Sequence, residues 1–299
     1  MRCRPYLELL RPPLAPMDLA LPAAAALLSA YAVTGGLPEA LPFLIATVGA
    51  YAAITSSYVY NDYCDVDVDR VGMPGRPLPS SRVTAKEAGL YSLFLFLVAC
   101  TCALYLNPES FVVLIAATIL ITIYSRWAKR HTPFSWILVG LSFGLVPLGV
   151  WLAISPAGVL KAGIGLHPAA LVLSAMICIT DWAFTNCDAS RDVAGDRAKG
   201  IPTLPATYGI PVTSKLVLAI WSAGFALSLL LGITAGLGWL YMAGAALAGS
   251  WLVSQAWQFA REPTAPRGDL LFYQSANYRA VLFAVLILDI LFRAVTGPL

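Results

Sequence analysis

An all-α, polytopic membrane protein of nine helical spans is the fold the sequence predicts. Apolar residues make up 59% of the chain and charged residues only 12%, with a mean hydropathy of +0.75. Apolar runs of around 20 residues recur along it, each long enough to cross a hydrocarbon core. Carboxylates gather at the ends of two such runs, where ionised groups are costly and therefore mark function.

The first expected span covers 13–34; Pro13, Pro16, Asp18 and Pro22 and the lack of a small-residue cleavage site distinguish it from a signal peptide. The second, 41–62, runs into an acidic cluster, and 88–106 and 110–126 follow, the latter closed by Tyr124-Ser125-Arg126-Trp127-Ala128-Lys129-Arg130. Spans 133–154 and 166–187 come next, with a second acidic series after 187, and Gly200, Pro202 and Pro205 end any helix there. Spans 212–233, 237–259 and 276–296 complete the set. Connections are short, so residues 1–299 are expected to form a single transmembrane domain.

Lys and Arg set the orientation. With a cytoplasmic N-terminus, 17 of the 19 cations, Arg2 and Arg279 among them, lie on the cytoplasmic side or at its helix ends, against Lys161 and Arg293 opposite. Both acidic series then face the cytoplasm, as expected of a multi-pass protein of the cell membrane. The net charge of +3 is small and the cations share loops with acids, so nucleic acid is not an expected partner. The six cysteines lack paired zinc-ligand spacing, and His131 and His167 are the only histidines, so a site of oxygen ligands is favoured.

In Asn61-Asp62-Tyr63-Cys64-Asp65-Val66-Asp67-Val68-Asp69, helical spacing puts Asn61, Asp65 and Asp69 in one row, with Asp62 beside it and Asp67 pointing elsewhere. Such a row suits Mg2+, which takes a few carboxylates together with substrate phosphates; a solvated helix end is the plainer alternative. Arg70 and Arg76, in the Gly- and Pro-rich loop that follows, are positioned to pair with the acids or to receive a diphosphate. Asp181, Thr185, Asp188, Asp192 and Asp196 predict a second oxygen-bearing strip on one helix face. A surface ion-pair network with nearby arginines would explain that strip alone, but two such rows on one membrane side favour a shared site. Asp181 lies deeper, where a structural bond competes with a substrate-facing role. Lys129 and Arg130 share the side of the acid rows, and Tyr124 is a hydrogen-bond donor or a cation-stabilising ring.

Together these residues resemble the UbiA-type intramembrane prenyltransferases. Asn61, Asp62, Asp65 and Asp69 match the family's first Asn-Asp-x-x-Asp-x-x-x-Asp row, and Asp192 and Asp196 match its second. Tyr124 with Lys129, and Arg11 in Leu10-Arg11-Pro12-Pro13, match its further motifs. Within the family the motifs are most similar to the archaeal-type geranylgeranylglyceryl phosphate geranylgeranyltransferases, although Leu14, Trp136 and Asp188 depart from that pattern.

The resemblance implies nine helices around a central cavity, two Mg2+ ions, a prenyl diphosphate donor and a lipophilic acceptor, with membrane lipid as a further partner. It assigns the ions to Asn61, Asp65, Asp192 and Asp196, with Asp62, Asp69 and Asp188 completing the candidate ligand set. Arg11, Arg70, Lys129 and Arg130 would neutralise the leaving diphosphate, and Tyr58, Tyr60 and Tyr124 are candidate cation-stabilising rings. Geranylgeranylglyceryl phosphate is the first acceptor expected, with a quinone ring or a chlorophyllide as alternatives. A divalent-cation transporter would also place acid rows along a cavity, but phosphate-binding cations do not serve a cation path.

Overall fold

The structure, a computed structural model, describes residues 4–158 and 165–296. Arg2, Cys3 and Lys161 fall outside the described residues. All regular structure among these residues is helical. The chain begins with α1 (Arg4–Leu9) and a 3-10 turn (Pro12–Leu14), followed by α2 (Ala15–Thr34), α3 (Ala40–Cys64) and α4 (Val66–Gly72). After α5 (Ala85–Leu106) and α6 (Pro108–Ile123), a π-helical turn (Tyr124–Ala128) leads to α7 (Lys129–His131) and α8 (Trp136–Ile154). The remainder is α9 (Pro168–Arg191), α10 (Val193–Ala198), α11 (Leu204–Tyr208), α12 (Ile210–Thr234), α13 (Trp239–Arg261) and α14 (Ala265–Thr296).

Every expected span coincides with a long helix, but only seven of these helices are long and apolar enough by themselves to cross a membrane. The other two are α13 and α14. Alpha14 begins at Ala265, eleven residues before the expected 276, because its polar first half is held by tertiary partners rather than by apolar content. Arg279, counted above at a helix end, is instead buried inside α14 and pairs with Asp181 of α9 at 2.9 Å. Asp289, also buried, accepts backbone N–H bonds from Gly238 (2.7 Å) and Tyr241 (3.2 Å) and so ties α14 to the start of α13.

Local chemistry sets several boundaries. Thr84 caps α5 by accepting from the Glu87 N–H, while the Glu87 carboxylate accepts from the Thr84 N–H, a reciprocal capping box. Asn107 caps α6 by accepting from Ser110 N–H at 3.0 Å, with Pro108 at the first helical position.

Alpha2 packs against α3, α8, α9 and α14, and its Ala24, Ala25 and Ala26 are fully buried. In a bilayer, where lipid tails are as apolar as the helices, small residues of this kind allow the close approach that holds helices together. Leu90, Phe94 and Leu97 of α5 and Leu247 of α13 are exposed apolar side chains, as a lipid-facing surface requires.

Each acid row differs from the continuous helix that its spacing predicts. Alpha3 stops at Asp65 (φ −102°, ψ 7°) and α9 stops at Asp192 (φ −91°, ψ 5°), and a separate short helix follows each break. The short helices α4 and α10 pack on one another through glycine: a Cβ built on Gly195 would lie 3.4 Å from the Gly72 Cα.

Candidate active site

The two breaks gather both acid rows at one end of the bundle, and the first row is buried. Asp65 is 2% exposed and Asp62 and Asp69 are also buried, although isolated carboxylates are almost never found so deep. Their partners explain it. The Arg76 guanidinium spans Asp69 (2.7 Å) and Asp62 (3.4 Å), and Arg11 donates to Asp62 at 3.0 Å. Lys129 Nζ lies 2.5 Å from Asp65 Oδ2. Asp67 points away, as its spacing predicts, and meets Arg130 at the surface (2.8 and 3.0 Å), which holds its carboxyl below the ordinary range.

In the second row, Arg191 organises the acids. It lies 2.6 Å from Asp188 and makes a two-point contact with Asp192 (2.9 and 3.0 Å). Asp196 is buried and accepts from the Thr203 hydroxyl at 2.8 Å. Burial pushes the Asp196 carboxyl up to about 6 and also raises Asp69 and Asp192, the last two against their arginine partners. Asp181 lies deeper, in the buried pair with Arg279, which also donates to Thr180 at 3.1 Å.

Two cavities join at these residues. One is lined by Tyr124, Lys129, Asp188, Asp192, Asp196 and Thr203, and the other by Arg11, Tyr58, Asn61, Tyr124, Asp181 and Asp188. Tyr124 and Asp188 belong to both. A third, wider pocket at Arg11, Asp62, Arg76, Asp188 and Arg191 opens from the acid end. The second cavity also shares Ser57 and Ile121 with an apolar pocket between α3, α5, α6 and α8.

Backbone irregularity positions several of these groups. The π-helical turn begins at Tyr124 and ends just before Lys129, redirecting both, and such turns occur often at functional sites. Arg11 adopts a left-handed backbone (φ 53°, ψ 63°), unfavourable for a side chain of its size. Its guanidinium lies 4.6 Å from the Tyr58 ring centroid.

Of the residues singled out from sequence, Arg11, Asn61, Asp62, Asp65, Asp69, Tyr124, Lys129, Asp188, Asp192 and Asp196 therefore line or border one site. Arg70 does not join them: it is exposed and forms no ion pair among the described residues, whereas Arg76 reaches the acids. Arg130 is turned to the surface by Asp67. Arg191 and Thr203 received no role from the motifs, and only adjacency to the acid row hinted at the first.

The donor set suits a hard divalent cation. All candidate ligands offer oxygen, and Asp65 Oδ1 is buried without any hydrogen-bond partner, an open position for a ligand. Among the described residues no three acids converge as they stand, because Arg11, Arg76, Lys129 and Arg191 hold them apart.

Comparison with known proteins agrees with this geometry. A model of the UbiA prenyltransferase family matches residues 19–277. The chain belongs to this family. It is 32% identical over 216 residues, 71% of this chain and 69% of its relative, to a digeranylgeranylglyceryl phosphate synthase of Methanothermobacter thermautotrophicus. It is also 29% identical over 269 residues to a protoheme IX farnesyltransferase of Roseiflexus sp., covering 87% of this chain and 48% of that one. A UbiA homologue of Archaeoglobus fulgidus bound to GPP and Mg2+ shares the fold with a TM-score of 0.63 at 18% identity, over 95% of this chain and 99% of the other. This UbiA-family chain is an intramembrane prenyltransferase.

Proposed function

We propose that this prenyltransferase moves a geranylgeranyl group from its diphosphate to the hydroxyl of geranylgeranylglyceryl phosphate, with two Mg2+ ions bound between the acid rows. The observation that carries the metal reading is the buried, unpartnered Asp65 Oδ1 at the meeting point of two rows of oxygen donors. Named archaeal relatives support the acceptor, and the A. fulgidus complex supports the metal and the donor class.

Asn61, Asp65, Asp192 and Asp196 would hold the ions, with Asp62, Asp69 and Asp188 within the same ring of acids. Bound Mg2+ would act as a Lewis acid that neutralises charge developing on the diphosphate. Lys129, Arg11, Arg76 and Arg191 now satisfy the acids; when metal takes their place they are free to turn to phosphate oxygens. Tyr124, shared by the two inner cavities, stands beside the allylic carbon as a cation-stabilising ring or a phosphate donor. The apolar pocket between α3, α5, α6 and α8 receives the prenyl tail through Ser57 and Ile121. The bias of Lys and Arg toward the acid end supports a mouth facing the cytoplasm at the cell membrane.

The test is to incubate purified protein with Mg2+, prenyl diphosphates of several lengths and an acceptor panel, then identify products by mass spectrometry. The digeranylgeranyl ether is the expected product. Alkylation of only quinone or porphyrin acceptors would replace the acceptor assignment, and metal-independent turnover would remove the ions.

A further inference from the structure

Transfer of a prenyl group to a protic acceptor releases a proton, and nearly every acid around the inner cavity is already committed. Asp62 faces Arg11 and Arg76, Asp188 faces Arg191, and Asp181 faces Arg279 at 2.9 Å. Asp65 is held by Lys129 and belongs to the metal ring. Asp192 faces Arg191, and Asp196, which accepts from Thr203, belongs to the same ring. Outside that ring one carboxylate remains. Asp18 of α2 is 2% exposed and forms no ion pair among the described residues. Its Oδ2 is buried without a hydrogen-bond partner, while its Oδ1 accepts from the Tyr58 hydroxyl at 3.1 Å.

Tyr58 connects this acid to the chemistry. It lines the cavity that also contains Asn61, Tyr124 and Asp188, and Arg11 lies across its ring. Because its hydrogen is directed to Asp18, the Tyr58 oxygen keeps lone pairs that can accept a further hydrogen bond. A purely structural partner for a buried tyrosine could be an amide or a hydroxyl, neither of which requires a carboxylate and an unsatisfied oxygen in the membrane interior. The charged groups that bear on Asp18 are Arg279 of α14, Arg11 ahead of α2 and Asp181 of α9; Tyr58 and Tyr51 of α3 are the nearby phenols, and α8 contributes no ionisable residue.

We propose that Tyr58 and Asp18 form the proton exit of the transfer reaction, with Tyr58 touching the acceptor and Asp18 acting through it. This rests on the prenyl-transfer reading above. The allylic C–O bond breaks and its electron pair leaves with the diphosphate. An acceptor oxygen lone pair forms the new C–O bond. The acceptor's proton passes to the Tyr58 oxygen as the Tyr58 proton passes to Asp18, so Tyr58 ends neutral and Asp18 ends protonated. The route asks only that the nucleophile carry a proton, and it holds for a glycerol hydroxyl or a phenol.

Asp18→Asn keeps shape and hydrogen-bonding capacity while removing the base, and Tyr58→Phe removes a single oxygen. With geranylgeranyl diphosphate, Mg2+ and whichever acceptor the native enzyme alkylates, each variant should lower kcat by about a hundredfold with donor KM retained. A larger share of the consumed donor should appear as free prenyl alcohol, because the stalled cation is captured by water. Native kcat in Asp18→Asn overturns the proposal, as does a lower kcat with the alcohol-to-adduct ratio unchanged, which marks a structural role. A normal Tyr58→Phe enzyme overturns the route through Tyr58, and that variant decides the matter if Asp18→Asn does not fold. A native enzyme that alkylates a phenol and refuses geranylgeranylglyceryl phosphate instead rejects the acceptor assignment and leaves the relay to be read on the phenol.

Discussion

Lys129 and Asp65 meet at 2.5 Å across the site, and the ammonium satisfies only one of the two carboxylate oxygens. An acid held this way is both neutralised and available, which a metal ligand in a membrane requires. Lys129→Ala should weaken donor binding or slow ionisation by roughly 1–3 kcal/mol, the worth of one charge-assisted contact. Insertion should be unaffected, since Arg126 and Arg130 remain at the same helix end. Donor-titrated kinetics and cysteine labelling on the same variant check this, and native kinetics with correct insertion would remove Lys129 from the site.

Asp65→Ala and Asp192→Ala each take a proposed ligand from a different row, so each should nearly abolish turnover while the protein remains in the membrane. EDTA should silence the native enzyme and Mg2+ restore it. Native rates for either variant at limiting Mg2+ would exclude that residue as a ligand.

Metal affinity should depend on pH through Asp196. Burial raises its carboxyl to about 6, and Asp192 and Asp69 are raised in the same direction. A protonated carboxyl cannot ligate, so protons compete with Mg2+ as pH falls through about 6, and affinity levels off above it. Mg2+ titrations from acid to neutral pH should show the apparent Kd rising by up to about tenfold per unit on the acid side for each ligand that protonates. A flat profile across that range would contradict the assignment.

Removing one partner of the Asp181–Arg279 pair should destabilise the bundle. Arg279→Leu leaves Asp181 charged and alone between α9 and α14, at a cost of about 3–5 kcal/mol. Thermal unfolding in detergent should fall sharply for this variant and recover in part when Asp181→Asn is added, because the orphaned charge is then gone.

The orientation can be read by labelling. Gly75 follows α4 at the acid end, whereas the Gly236 carbonyl accepts from Arg293, beside Tyr31 at the other end of α2. Single cysteines at Gly75 and Gly200 should react from the cytoplasm and one at Gly236 from outside. Reaction of Gly75 and Gly236 from one side would break the topology.

Period and spacing made much of this legible. The apolar runs mark the long helices, and four-residue intervals single out Asn61, Asp65 and Asp69, although the helix breaks at Asp65. What spacing could not reveal depends on three-dimensional partners. No Gly or Pro marks Asp65 or Asp192, so the helix breaks are invisible locally. Arg70 and Arg76 look alike in the loop, yet only the fold turns Arg76 inward. Arg279 meets an aspartate 98 residues away, so counting it at a helix end followed from reading the last span too short. Arg191, adjacent to its acids, resembled an ordinary topology-setting cation.

The glycine contact between α4 and α10 bears on how the two acid rows communicate. Gly195 lies against the backbone of Gly72, where an added Cβ would make ordinary van der Waals contact, and the two short helices pack on one another there. Each is joined to its long helix at an aspartate of the proposed ligand set, Asp65 or Asp192. On the two-ion proposal, an ion that shifted one short helix would press on the other, and binding at the two positions would be cooperative. Gly195→Val would prise the pair apart and leave two independent sites, so a sigmoidal Mg2+ response in the native enzyme would flatten to a hyperbolic one.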